Sequence, residues 1–377
     1  MLEGGHRQLD MTRGIQQVHH LKGIAARVAD RLMRHDWKVW FWGDSIGLEG
    51  LLDASDWLGD NKYEAFVYGL IKGWIARRDP PRTWDYTAPG YALLRLYEHA
   101  ADSVLLRVAK AHAEYLLGFR RTDYGAYVRY EDADFDLQPE FLEGDSEKEI
   151  RSERRVAVSK GGPCVFVDNM HFDGPFFAKL YQVTGDESYR LLSLANILPQ
   201  IKLLFDEERG LFHHFWIERL SRCNGVFWGR GQGWALLGIA RVLENLPQND
   251  ASWPVLLDIF KRHSEALAKY QDESGCWHTV ITDPSSYTES SIGAFVVDGF
   301  SRAISRGWLD HSYRQVVDLG FRALMQRITD DGKLSDVSYE TYPSLDPAHY
   351  KLMPRGAIVP WGQGPLLASI RSYAELP

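Results

Sequence analysis

Apolar positions along this chain fall mostly at three- and four-residue steps, the spacing that gathers side chains on one face of a helix. In NKYEAFVYGLIKGWI (61–75), Phe66, Leu70 and Trp74 form one row and Val67 and Ile71 the next. The same spacing predicts helices at 91–97, 105–117, 175–183, 235–246, 255–270, 294–304 and 313–328. Strand-like alternation is scarce and short.

The predicted helices come in pairs. Each pair starts at a Gly or Gly/Pro step: Gly47, Pro89-Gly90, Gly174-Pro175, Gly233, Gly293 and Gly364-Pro365. An inner helix follows, then a polar turn such as TGDESY (184–189) or LGDNKY (58–63), then a second helix. In such turns Gly supplies a left-handed residue, and a following Asp or Ser caps the next helix. Six starts predict six helical hairpins in one all-α toroid, with the inner-helix starts lining a common mouth. Between Gly90 and Gly174 lies a charged stretch at about 121–160, with YEDADFDLQPEFLEGDSEKEIRSERR at its centre, which reads as a long surface excursion. No Pro/Ser-rich linker divides the chain, so residues 1–377 are expected to form a single domain.

Composition narrows the function classes. The chain is 45% apolar and 25% charged, with a formal charge of −8 and no long basic run, which argues against a nucleic-acid partner. No apolar run is long enough for a membrane span, and the start MLEGGHRQLDMTRG lacks an apolar signal core, so a cytoplasmic protein is expected. The three cysteines are widely spaced without a CxxC, so neither a disulfide framework nor a zinc site is expected. Aromatic residues are plentiful, with 13 Trp, 18 Tyr and 17 Phe, enough to fill a core and still offer faces to sugar rings.

The chain twice leads a Trp into Gly-Gln-Gly, at FWGRGQGW (227–234) and PWGQGP (360–365). The first copy superficially resembles a dinucleotide loop, but the strand, βαβ unit and later acidic residue that such a loop needs are missing. A turn at a helix start explains both copies, and only the first carries Arg230 and Trp234. In PCVFVDNMHFDGPFF (163–177), Asp168 follows an apolar run, which would raise its pKa toward neutrality and suit it to deliver a proton. An Asp ahead of an inner helix is also the usual helix cap. Asp85 in TWDYTAPG precedes another inner helix, and two carboxylates at one mouth are the usual equipment for acid/base work on sugars. His213 and His214 in RGLFHHFW are adjacent and so point apart, which makes them a poor metal pair. Trp277, His278, Tyr287 and Glu289 add an aromatic face and polar groups at a further hairpin, where Tyr287 and Glu289 could equally bridge neighbours. No ligand spacing for a metal and no GK[ST] appears, so no metal or cofactor is expected.

In order, WFWGDSIGLEGLL, TAPGYALLRLYE, FVDNMHFDGPFFAKLYQVTGDESY, GLFHHFW, FWGRGQGWALLGIARVLENLP and GCWHTVITDPSSYTESS resemble the unsaturated rhamnogalacturonyl hydrolases of glycoside hydrolase family 105 and the related unsaturated glucuronyl hydrolases of family 88. The resemblance runs from about Trp37 to Trp361. It implies an (α/α)6 barrel acting on lyase-generated oligosaccharides that begin with a 4,5-unsaturated uronic acid. It assigns catalysis to Asp168, with Asp85 as the second site aspartate. Arg230, Trp234 and His214 carry over as substrate contacts, with Trp42 as a further ring for stacking. The implied reaction is hydration of a vinyl ether: Asp168 protonates C4, water adds at C5, and the hemiketal opens to release the next sugar. Gln232 stands where the family usually has Asn, and VDNMHF is more polar than the common form, so the sugar is less defined than the reaction. A sugar epimerase built on paired histidines and a non-catalytic sugar-binding toroid are the alternatives.

Overall fold

The computed structural model describes residues 2–77, 88–129 and 163–377, with backbone alone for 2–15 and 219. Six inner helices form a closed ring: α2 (Trp42–Leu58), α4 (Gly90–Ala100), α6 (Asn169–Thr184), α8 (Gly229–Asn245), α10 (Ser290–Ser305) and α13 (Pro360–Ala374). Each packs on the next, and α13 packs back on α2. Outside them lie α1 (Leu2–Leu32), α3 (Lys62–Arg77), α5 (Ser103–Leu117), α7 (Glu187–Leu204), α9 (Trp253–Lys269) and α11 (Arg314–Met325). A short helix, α12 (Pro347–Lys351), sits in the last long connection. This is the (α/α)6 barrel. No described helix is long and apolar enough to cross a membrane.

The pairing differs from six consecutive hairpins in one respect. Five inner helices pack on the outer helix that follows them, whereas α13 packs on α1, so the two ends of the chain meet to close the barrel.

Burial separates the two layers. Outer helix α9 buries only Leu256, Ile259, Phe260, His263, Ser264, Ala266 and Leu267, one stripe at helical spacing. Inner helix α8 is buried without a break from Gly229 to Leu243. An element covered on all sides has no polar face, so periodicity does not report its first turns. Four of the six inner helices therefore begin four or five residues before the glycines expected to start them, at Trp42, Asn169, Gly229 and Pro360, and α10 begins three before. The glycines lie inside the helices. Gly364 shows why: a Cβ there would meet Ile46 O at 2.2 Å, and one on Gly50 would meet Gly364 Cα at 2.5 Å. The backbones of α2 and α13 touch at these positions, and no side chain fits between them. The turns behave as expected: Gly59 and Gly185 are left-handed (φ 70° each), and Asp186 accepts from Ser188 N at 2.9 Å.

Both Gln residues of the repeated motif do the same thing. Gln232 accepts from Phe212 N (2.9 Å) and donates to Phe212 O (2.7 Å). Gln363 accepts from Leu334 N (2.7 Å) and donates to Gly332 O (2.8 Å). Each clasps an inner-helix start to the loop of the preceding hairpin. Gln232 is fully buried in this task, so its replacement of Asn tunes the framework and offers nothing to a ligand.

Two small antiparallel sheets lie beside the first turns of α6 and α8. One runs β1 (Cys164–Phe166), β4 (Phe215–Ile217), β5 (Arg222–Cys223), with Val165 opposite Trp216; the other pairs β2 (Phe205–Asp206) with β3 (Leu211–Phe212). The charged stretch is not wholly a surface excursion. Ala126, Tyr127 and Val128 are fully buried, and Arg129 pairs with Cys164 through N–H···O bonds of 2.9 and 3.3 Å. Its charged centre, 130–160, lies outside the described residues.

Candidate active site

The inner helices present their N-terminal turns at one end, and the small sheet adds two loops there. Asp168 follows β1 directly, and His214 sits between β3 and β4, tied to the same strand end by Val167 N→His214 O at 2.9 Å. The polar and aromatic groups of the mouth therefore come from segments far apart in sequence.

Asp168 occupies the N-cap position of α6 but does not cap it. Its backbone is already helical (φ −56°, ψ −36°) and its side chain accepts no bond from the first turn. About a quarter of its side-chain surface (24%) opens to the mouth, while dense protein surrounds the remainder. That enclosure pushes its pKa up to about 6, against a bond from its own backbone N–H and the charges of Arg230 and Arg129, which pull it down. A carboxyl so placed exchanges protons near neutral pH.

His214 Nε2 lies 3.8 Å from Asp168 Oδ2, and its Nδ1 is 2.6 Å from Tyr350 Oη. Burial, with the nearby charges of Arg230 and His349, lowers its pKa to about 3, so the ring is neutral. His213 points the other way, as its adjacent position requires. It stacks on Phe227 at 4.4 Å and lies 3.7 Å from Asp206.

Arg230 is buried with its fork already filled. Nη1 donates to Ser338 Oγ (2.8 Å) and O (3.2 Å) and faces Glu289 Oε1 at 3.4 Å. Nη2 donates to Tyr339 O (2.8 Å) and Thr341 Oγ1 (2.9 Å). Glu289 bridges neighbours: it accepts from Ser338 N (2.9 Å), Ser291 Oγ (2.6 Å) and Ile292 N (3.2 Å). Arg230 thus ties α8 to the 338–341 segment, and a bidentate grip on a uronate would require that segment to release it.

Trp234 is corrected in the same way. Its ring has no exposed surface, enclosed by His171 (4.8 Å), Phe172 (5.6 Å) and Phe295 (4.7 Å), so it cannot stack on a sugar as it stands. Trp42 rests edge-on against it at 6.4 Å, tilts over Trp361 at 4.8 Å, and keeps part of its ring exposed. Of the two, Trp42 is half-buried and Trp234 fully enclosed. Trp42→Ala is expected to raise KM about 10-fold with little change in kcat, and Trp42→Phe to restore most of it, since an exposed aromatic platform contributes about 1–2 kcal/mol. Steady-state kinetics of the two variants checks this.

Asp85 falls within 78–87, outside the described residues. Three residues that sequence patterns did not mark stand beside those that they did. Arg129 donates from Nε to Asn169 Oδ1 (2.9 Å) and from Nη2 to both Asp173 oxygens (3.0 and 2.9 Å), buttressing the first turns of α6 behind Asp168. Tyr350 holds the His214 ring, and Asn224 holds Tyr350. Their partners lie 136 and 126 positions apart, so no local signal could show them. Among the described residues, the His/Asp/Glu atoms that converge as a metal group would are Asp56, Glu64 and His99, at the far end of α2; Asp56 is already bonded to Arg95 (2.9 Å) and Arg371 (3.1 Å).

Comparison with known proteins gives the same placement. The profile described as Glycosyl Hydrolase Family 88 matches residues 20–376. The unsaturated rhamnogalacturonyl hydrolase YesR of Bacillus subtilis (strain 168) is 26% identical over 345 residues, covering 89% of this chain and 91% of that one. A solved structure from Salmonella enterica serovar Paratyphi A, described as a possible member of the GH105 family, superposes with a TM-score of 0.82 at 22% identity, covering 95% and 94% of the two chains. The unsaturated glucuronyl hydrolase of Bacillus sp. GL1 superposes with a TM-score of 0.67 at 18% identity, covering 94% and 95%. With nearly its whole length matched, the chain belongs to glycosyl hydrolase family 88.

Proposed function

We propose that this enzyme removes a 4,5-unsaturated uronic acid from the non-reducing end of lyase-generated oligosaccharides by hydrating the vinyl ether double bond. The observation that carries the reading is Asp168: an uncapped, mostly enclosed carboxyl at the mouth, held near a pKa of about 6, in a chain of this family. Protonated Asp168 gives its proton to C4, positive charge develops toward C5 and the ring oxygen, and the carboxylate then takes a proton from the water that adds at C5. The hemiketal opens and the leaving sugar departs. One group acting as acid and then base works best with a pKa near the operating pH. Arg230, beneath the mouth, supplies a fixed positive charge that favours a uronate while its hydrogen bonds hold the 338–341 wall. Trp42 stacks on the sugar, with Trp234 behind it, and Asp85 is retained as the second carboxylate.

The rival readings lose their footing at particular residues. A scaffold in which Asp168 merely caps α6 does not fit a side chain that makes no cap bond. An epimerase would need two facing histidines. His213 stacks on Phe227, and His278 Nδ1 is bonded to Ser286 O at 2.5 Å, so neither of these two histidines from the sequence motifs is free to face His214.

Because Asp168 must start protonated, kcat/KM is expected to be level below about pH 6 and to fall roughly tenfold per unit above it. A profile rising through that range would mean that the carboxylate, not the acid, starts the reaction. The function itself is tested by following the near-ultraviolet absorbance of the conjugated double bond in unsaturated oligosaccharides made by pectin, glycosaminoglycan and ulvan lyases. Absorbance should be lost with at least one set. No loss with any, from folded protein, would overturn the proposal.

A further inference from the structure

Hydrogen counting around Tyr350 assigns the protonation pattern of His214. Asn224 is fixed first: its Oδ1 faces two backbone N–H groups, Phe215 N and Val226 N, each at 3.4 Å. Its Nδ2 must therefore be the group that reaches Ser344 O at 3.0 Å and Tyr350 Oη at 3.2 Å. Ser344 N also donates toward Tyr350 Oη, at 3.4 Å. A phenol oxygen has two lone pairs and one hydrogen. The two N–H donors take the lone pairs, which leaves the hydrogen. It can go to His214 Nδ1 at 2.6 Å or to Ser344 O at 3.3 Å. Were Nδ1 protonated, Tyr350 Oη would face three donors with two lone pairs, and its hydrogen would be left to the longer contact.

We propose that Tyr350 is a positioning residue that holds His214 in its Nε2–H form, so that His214 acts as a fixed hydrogen-bond donor beside Asp168. The inference rests on the proposed hydration and deepens it. Nε2 lies 3.8 Å from Asp168 Oδ2, too far for a direct bond and close enough for both groups to address one oxygen between them. That oxygen belongs to the attacking water or to a hydroxyl of the bound sugar. His214 donates to it and cannot accept its proton, because Nε2 is already occupied and Nδ1 is tied to Tyr350. The proton balance then closes on Asp168 alone: it gives one proton to C4 and takes one from the water added at C5, while His214 gains and loses none. A neutral ring fully enclosed by Phe166, Phe215 and Trp228 suits this role.

The test is nitrogen NMR of protein carrying heavy-nitrogen histidine, with His214→Gln used to assign the His214 signals. The wild-type protein without substrate should show a single tautomer protonated at Nε2. Tyr350→Phe should shift the ring toward a mixture and lower kcat about 10-fold with KM within about twofold, the loss of one good hydrogen bond in the working complex. A wild-type ring protonated at Nδ1, or a Tyr350→Phe enzyme with unchanged tautomer and kcat, would overturn the proposal. The wild-type spectrum decides even if the variant fails to fold. It also needs no substrate, so an Nε2–H ring in a protein that turns over no unsaturated oligosaccharide would sink the hydration and leave the tautomer assignment standing.

Discussion

Asp168→Asn is expected to lower kcat by about 10³–10⁴-fold while leaving the protein folded, because it removes the one group asked both to give and to take the reacting proton. The stability of the variant separates this account from a capping role. A lost cap costs about 1 kcal/mol. Asp168 caps nothing, and its ionised form sits where burial opposes charge. Its folded-state pKa is raised above that of an unfolded Asp, so its contribution to stability is present at low pH and lost as pH rises through about 6. The amide has no charge to bury. Thermal unfolding of Asp168→Asn should therefore match or exceed wild type at pH 7.5 and lose that advantage by about pH 4. A lower melting point at both pH values would restore the capping role.

Arg241→Met is expected to destabilise the barrel by about 3–5 kcal/mol, the usual result of stranding a buried charge. Arg241 on α8 is ion-paired with Glu49 on α2 across the barrel interior, over the Tyr91 ring at 4.5 Å, with His171 Nε2 3.8 Å from the same carboxylate. Burial pushes the Glu49 carboxyl up, but Arg241 and His171 outweigh it and hold the pKa below the usual value. The contribution of Glu49 is thus present above the unfolded Glu range and lost as pH falls through the folded value. Two urea-unfolding results follow: the gap between wild type and Arg241→Met should narrow toward acid pH, and adding Glu49→Gln should recover part of the loss at neutral pH. A single variant within about 1 kcal/mol of wild type would show that the pair is solvated.

How much of this could be read from the residues depends on where the partners lie. Outer helices such as α3 and α9 have one wet face, so their apolar rows lie open in the sequence. Inner helices are covered all round, and their glycines mark contact between backbones more than turns, as Gly50 and Gly364 show. The repeated Gly-Gln-Gly was legible as a repeat, and the structure gives both copies one mechanical task, the clasp made by Gln232 and Gln363. Asp168, His214 and Trp42 stand in local motifs that carry their position in the fold. Arg230 and Trp234 stand in such a motif too, but both are buried, behind the surface expected of them. The bonds from Arg129 to Asn169, from Asn224 to Tyr350 and between Tyr350 and His214 span 40 to 136 positions, and nothing local distinguishes these residues from other Arg, Asn and Tyr.

The central claim is that water attacks C5 of a double bond protonated by Asp168, and not the anomeric carbon. Running the reaction in heavy-oxygen water and trapping the product at once by reduction tests it directly. The account predicts label at C5 of the released uronate, with loss of the conjugated absorbance in step with sugar release. Label at C1, with the double bond still present when the leaving sugar appears, would contradict it.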